Sequence, residues 1–186
     1  PEKAGPHQEQ MESLKSLGQA ARKEMQVLSK ALEERLTPFK MDRVSNWANQ
    51  AQICRPHFWC YYRAPEDSLD DVAMATRLYG QPEKWGISVE VSFVERKKSD
   101  TTLAKQYKVL RLTDYFSTLL SCSRRWEDGV SHRVEGTEDN RQMLKEAVRD
   151  NRVRKVLVKY DVPVTTSETI EELVEKLADG FDKLKP

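Results

Sequence analysis

Glycine and recognisable catalytic motifs are scarce in this chain, and their scarcity argues against several enzyme classes. Only seven of the 186 residues are glycine, and no P-loop or G-x-G-x-x-G segment occurs among them. The G-x-S-x-G motif of serine hydrolases and the HExxH motif of zinc proteases are missing as well. These absences argue against a nucleotide-dependent kinase and a dinucleotide-dependent dehydrogenase.

Cysteines, long apolar runs and an excess of one charge are also lacking. The three cysteines, Cys54, Cys60 and Cys122, cannot all pair within one chain, which favours reduced thiols and a cytoplasmic location. No stretch approaches the roughly 18 apolar residues of a membrane span, and the start PEKAGPHQEQ lacks the apolar core of a signal peptide. Lys and Arg total 31 against 30 Asp and Glu, a balance that argues against a protein that coats nucleic acid.

The amino-terminal part of the chain carries a long helical pattern. Residues 1–7 are predicted to be a flexible tail, and residues 8–37 a long amphipathic helix that Pro38 ends. Its apolar stripe follows steps of three and four residues: Met11, Leu14, Gly18, Ala21, Met25, Leu28 and Leu32. The pattern fits a helix that lies along a sheet or extends from it, or one that pairs with a second copy in a homodimeric structural protein.

Alternating apolar residues and turn signals predict four strands, near residues 54–63, 87–95, 130–135 and 152–160. In the second, Ile87, Val89, Val91 and Phe93 alternate with polar residues, as in a half-buried strand. Asp128-Gly129 has the composition of a two-residue hairpin turn. Residues 99–110 fit a helix or a strand equally well.

Three further helices are predicted from caps and apolar spacing. One starts at Ser68, with Asp70 and Asp71 in its first turn, and ends at Gly80 and Pro82; its apolar side is Val72, Ala73, Ala75 and Leu78. A second runs from the cap Thr137 to about Val148, with Met143, Leu144, Ala147 and Val148 inward. The last follows a Thr165–Glu168 capping box and buries Ile170, Leu173, Val174, Leu177, Phe181 and Leu184. We therefore predict a single α+β domain over 8–186, a mainly antiparallel sheet packed by long N-terminal and C-terminal helices.

The strand 87–98, ISVEVSFVERKK, ends in a pattern with chemical meaning. Its alternation places Glu95 and Lys97 on one face, and this E-x-K ending resembles that of the PD-(D/E)XK nucleases. The resemblance implies Mg²⁺ or Mn²⁺ held by the carboxylate, with the lysine orienting the attacking water. It also requires an upstream acidic residue, for which the candidates are Glu66, Asp67, Asp70 and Asp71. Outside this alternative no cofactor is expected.

A second metal pattern, C-x2-H-x2-C at Cys54, His57 and Cys60, resembles a zinc site only superficially. Side chains alternate along a strand, so His57 faces away from both cysteines and the three cannot share one ion. No zinc site is predicted.

The aromatic strand and a basic segment form the predicted ligand surface. Odd-numbered positions of the strand share one face and interleave basic with aromatic residues: Arg55, His57, Trp59, Tyr61 and Arg63. Such a face suits base stacking with phosphate contact, or alternatively a second core layer beneath the N-terminal helix. From 141 to 160 seven basic residues, including Arg152 and Arg154, stand against two acidic ones. This edge would track phosphates unless the acidic last helix folds back and neutralises it. The leading functional prediction is a non-enzymatic binding or accessory domain for nucleic acid or a protein partner.

Overall fold

The computed structural model describes residues 8–46, 58–67, 71–81, 84–93, 100–111, 120–124, 131–153 and 155–184. Its four helices and seven strands form an α+β fold, as the sequence predicts. The helices are α1 (Gln8–Arg35), α2 (Asp100–Arg111), α3 (Glu138–Arg149) and α4 (Ile170–Leu184). The strands are β1 (Lys40–Met41), β2 (Trp59–Arg63), β3 (Ala73–Gln81), β4 (Lys84–Ser92), β5 (Leu120–Arg124), β6 (Ser131–Glu135) and β7 (Lys155–Pro163).

The strands form one sheet in the order β1-β2-β3-β4-β7-β5-β6. Every pairing within it is antiparallel, which confirms the predicted sheet type. Residues directly opposite each other point to the same face, so the register defines two faces. One row across the sheet is Tyr61, Ala75, Glu90 and Lys159, and the next row, on the other face, is Tyr62, Met74, Val91 and Val158.

All four helices pack on the second of these faces. There α1 and α4 cover β2, β3, β4 and β7 in one apolar cluster, whose innermost side chains include Leu32, Tyr62, Val89 and Leu177. Beside it, α2 and α3 pack on Val156 of β7 in a second cluster. The N- and C-terminal helices therefore pack on the sheet, as predicted, and they also pack on each other.

The prediction of a helix after Ser68 is wrong, because the chain from Ala73 to Gln81 is strand β3. It pairs with β2 on one side and β4 on the other, and those two ladders outweigh the local helical signals. Gly80, which was expected to end that helix, lies instead near the end of β3. It has φ +103°, and a Cβ at this position would be 2.3 Å from the Lys84 carbonyl oxygen. Glycine is needed there by a tight strand connection rather than by a helix end.

The remaining helices agree with the predictions apart from three details. Segment 100–111 is helical, and Thr137 caps α3 by accepting a hydrogen bond from the Asn140 amide. Met143 and Ile170, both expected inward, are 43% and 40% exposed. The Thr165–Glu168 contact forms a turn, and the reciprocal capping box of α4 lies four residues later, between Thr169 and Glu172. The hairpin turn predicted at Asp128-Gly129 is outside the described residues.

Candidate functional site

The described part of the predicted ligand surface, Trp59, Tyr61 and Arg63, lies on the sheet face opposite the helices. Trp59 is half-buried, whereas Tyr61 and Arg63 are only 7% and 5% exposed. The alternative placement beneath the N-terminal helix is wrong, because α1 covers the other side of β2, formed by Phe58, Cys60 and Tyr62. Arg55 and His57 are outside the described residues.

Internal contacts occupy these β2 side chains. The Arg63 guanidinium donates to Asp42 Oδ2 at 3.1 Å and lies 5.3 Å from the centre of the Tyr61 ring. The Arg77 guanidinium of β3 lies 5.2 Å from the centre of the Trp59 ring. Burial raises the pKa of Tyr61. The face is therefore built as a packed polar layer, in which the Trp59 ring is half-buried.

Glu90 is the centre of this polar layer and was not predicted from the sequence. Its side chain is fully buried, with Arg77 Nε 2.9 Å from Oε2 and Lys159 Nζ 2.6 Å from Oε1. The Ser88 hydroxyl also donates a hydrogen bond to Glu90 Oε1, at 3.0 Å. Burial opposes ionisation of Glu90, but the two cations outweigh it and lower its pKa to about 2.

The prediction that β4 is half-buried is wrong, because both of its faces are buried. Ser88, Glu90 and Ser92, the polar side of the alternation, are each 0% exposed. Ser92 Oγ is buried without a hydrogen-bond partner in the described part of the chain. Because Arg77, Glu90 and Lys159 come from three different strands, only the strand order could reveal that they meet. With two cations and a hydroxyl on its oxygens, the Glu90 carboxylate is an anchor between strands rather than a free acid or base.

The basic segment contributes exposed cations at the end of α3 and the start of β7. Asn151 has φ 56°, and the Arg152 amide donates to the Ala147 carbonyl oxygen at 2.8 Å, the bond pattern of a Schellman helix end. This turn places Arg149 and Arg152 on either side of Asp150, at 3.3 Å and 3.2 Å from its carboxylate. Their side chains are 68% and 58% exposed, so one carboxylate partly neutralises two accessible guanidinium groups. Arg154 is outside the described residues.

The acidic last helix has other partners. Glu175 of α4 pairs with Arg35 of α1 at 3.0 Å, Asp179 pairs with Lys183 at 2.6 Å, and Lys176 pairs with Glu168 just before the helix. α4 packs on α1, β4 and β7, whereas α3 packs on α2. The acidic helix therefore lies beside α1, and none of its described ion pairs involves the Arg149–Arg152 turn.

The structure does not bring the aromatic and basic parts of the predicted surface together. Trp59 lies in the same row of the sheet as Asp161 of β7. Asp161 is six residues from Lys155, at the basic end of β7, which corresponds to about 20 Å along the strand. Three strand spacings add about 14 Å across the sheet. The two groups are therefore separate regions, and Arg152 is the most exposed of the predicted ligand-binding residues that the structure describes.

The nuclease residues Glu95, Lys97 and Asp70 are outside the described residues. Asp71 precedes β3 instead of starting a helix, and its carboxylate accepts from Lys108 Nζ at 2.7 Å and from the Val72 amide at 2.6 Å. The Lys108 contact lowers the pKa of Asp71. In the part of the chain that the structure describes, no three His, Cys, Asp or Glu residues are grouped to hold a metal ion.

Of the residues considered for zinc, only Cys60 is described. It is buried under α1, its Sγ lies 3.1 Å from the Asp42 carbonyl oxygen, and burial raises its pKa to about 12. A thiol this hard to ionise is a poor metal ligand or nucleophile. Cys60 belongs to the core.

Comparisons with known proteins give this chain no relative from which a role could be read. No protein-family model, curated protein or solved structure matches it. Among the described residues, no helix combines the length and apolar character needed to cross a bilayer.

Proposed function

We propose that this protein is a non-enzymatic binding domain for a polyanion, with nucleic acid as the ligand to test first. The binding surface is the turn between α3 and β7, where Arg149 and Arg152 present exposed guanidinium groups. The observation that carries the proposal is the position of α4, whose Glu175 and Asp179 carboxylates pair with Arg35 and Lys183 instead of this turn.

The charge of the neighbouring elements supports the same surface. α2 contributes Lys105 and Lys108, and α2 packs on both α3 and β7. Lys108 shares its charge with Asp71, so it adds less than the arginines do. Cations on packed, rigid elements can follow phosphates without catalytic geometry, and such binding weakens steeply with salt.

The test is an anisotropy titration of labelled single- and double-stranded DNA and RNA over a range of salt concentrations. The double variant Arg149→Gln/Arg152→Gln should bind more weakly and lower the slope of log K against log salt by about 2 for duplex DNA, about 0.9 for each phosphate contact. The matched control is Arg35→Gln/Lys176→Gln, which removes the same charge from exposed positions at α1 and α4. It should leave the slope unchanged.

Two results would overturn the proposal. One is no binding at low salt, and the other is an equal loss in both double variants, which would show only a response to net charge. The same samples, run on a denaturing gel with Mn²⁺, test the nuclease hypothesis. Metal-dependent shortening that Glu95→Ala abolishes would replace a binding function with cleavage.

A further inference from the structure

A recess with a volume of about 140 Å³ lies between α1 and α4, beside the start of β3. On its α1 side the helix ends at Arg35 and the chain turns, with the Phe39 amide donating to the Leu36 carbonyl oxygen at 2.9 Å. On its α4 side lie residues of the last part of that helix, among them Ala178 and Asp182. No described residue of the α3–β7 turn lines this α1–α4 recess, so it is separate from the basic surface.

The inner wall of the α1–α4 recess is apolar and is held in place by the core. Met74 of β3 lines this wall together with Ala178 and Phe181 of α4, and all three are buried. The Phe181 ring meets the Tyr62 ring edge-on, with 5.2 Å between the ring centres. The half-buried Phe39 lines the outer part of the recess. Because this wall is already packed, a ligand would not have to order it, which is typical of small-molecule sites.

The mouth of the recess carries an excess of negative charge. Among the described residues that line it, the charged ones are Arg35 and Asp182. The Arg35 guanidinium already donates to both carboxylate oxygens of Glu175, at 3.0 and 3.4 Å. The Asp182 carboxylate makes no hydrogen bond or ion pair with another described residue, although it adds to the effect of Glu175 in raising the pKa of Arg35. One cation against two carboxylates leaves one negative charge at the mouth.

We propose that the α1–α4 recess binds a small organic cation, an ammonium ion attached to a benzene-sized apolar group. An apolar cavity of about 150 Å³ holds a benzene ring, so the recess has room for a group of this size. The apolar group packs on Met74 and Phe181 while the ammonium faces Asp182, and aromatic side chains in the wall also favour a cation. An anion of the same size would face two carboxylates and a guanidinium that Glu175 already holds.

A titration with phenethylammonium, followed by NMR of the side-chain methyl groups, tests the proposal. The Met74 and Ala178 methyl signals should shift and saturate with a Kd of about 1 mM, an ordinary affinity for a ligand of about nine non-hydrogen atoms. The Leu144 methyl signals should stay unchanged, because Leu144 belongs to the other apolar cluster. Phenylacetate, which has the same ring and the opposite charge, should bind at least about tenfold more weakly.

A pair of charge-removing variants of α4 tests the role of Asp182. Asp182→Asn should weaken phenethylammonium binding about fivefold, the upper end for an exposed ion pair. Glu171→Gln is the matched control, because it removes the same charge from an exposed position of the same helix. It lies about 16 Å from Asp182 along the helix axis, beyond the range of unscreened charge effects at ordinary salt, and should leave the Kd unchanged.

Three results would overturn the proposal. They are methyl signals of Met74 and Ala178 that do not respond to phenethylammonium, equal binding of phenylacetate, and a Kd that Asp182→Asn changes no more than Glu171→Gln does. The first would mean that the recess takes no such ligand, and the other two that its charge selects nothing. The proposal does not depend on polyanion binding, because Asp182→Asn leaves Arg149 and Arg152 unchanged.

Discussion

The two helix pairs that cover the sheet differ in how they are held. α1 and α4 lie on a cluster that draws apolar residues from β2, β3, β4 and β7, with Leu32, Leu177 and Leu184 fully buried. α2 and α3 lie at one border of this cluster, on the amino-terminal end of β7, with Leu144 and Val148 as their inner residues. The first pair supplies the stable frame, and the second pair presents the basic turn at its margin.

Charge separates the same two regions. α4 is acidic, and its carboxylates pair with residues of α1 and α4 itself. The α3–β7 turn is basic and exposed. A nearly neutral chain can therefore still present a charged surface, because folding places its acidic and basic residues in different regions.

The Glu90 cluster links three central strands, so breaking it should have the largest effect. Glu90→Ala leaves Arg77 and Lys159 without their carboxylate in a buried layer, and we expect a loss of about 3–5 kcal/mol in the free energy of unfolding. Urea denaturation measures it. The control Glu175→Ala breaks the exposed pair with Arg35 and should cost at most about 1 kcal/mol. Equal losses would mean that Glu90 is no anchor.

The same residue predicts how stability depends on pH. The pKa of Glu90 falls from its ordinary 4.5 to about 2 on folding, so its ionised form favours the folded state. This contribution is complete above about pH 4.5 and should disappear as the pH falls toward about 2. Glu90→Gln should flatten that part of the acid-denaturation profile, whereas a profile with unchanged slope would contradict the assignment.

Matched leucine truncations compare the two clusters directly. Leu177→Ala in α4 removes a fully buried side chain from the larger cluster, and Leu144→Ala in α3 removes one from the marginal cluster. We expect about 3–5 kcal/mol for the first and about 2–3 kcal/mol for the second, because a cavity at the border can collapse more fully. Urea midpoints of the two variants, measured side by side, provide the test. The reverse order would show that the smaller cluster is the better packed one.

Helix caps should give the smallest difference between the regions. At the start of α4, the Thr169 and Glu172 side chains each accept a hydrogen bond from the other residue's amide. At the start of α3, the Thr137 hydroxyl accepts from the Asn140 amide, and the Asn140 side chain donates to the Glu135 carbonyl oxygen. Each Thr→Ala change should cost about 1 kcal/mol, with Thr169→Ala the more costly because Glu172 also loses its reciprocal contact. Thermal unfolding of both variants checks this order, and Thr166→Ala, an exposed turn residue outside both caps, serves as the reference.

Local patterns in the sequence predicted most elements correctly and failed where neighbouring strands decided the outcome. The helical periodicity of the 28-residue α1 and the α3 cap at Thr137 are set by residues a few positions apart, and β4 is visible in the alternation of its own side chains. Ala73–Gln81 was predicted as a helix and is a strand, because β2 and β4 pair with it from both sides. Thr165 resembled a cap, but the helix begins where Thr169 and Glu172 satisfy each other.

Residue order and periodicity are enough to predict the α+β class and the charge content of each segment. Which charges are buried and which are exposed depends instead on how the elements pack. Glu90, Arg77 and Lys159 form a buried cluster because the strand order places Lys159 directly opposite Glu90, and Arg77 two residues along β3 from Ala75, the other residue opposite Glu90. Arg149 and Arg152 stayed exposed because α4 packed against α1. The reason is physical: the energy of a charge depends on its distance from partners and from water, and only the folded chain sets those distances.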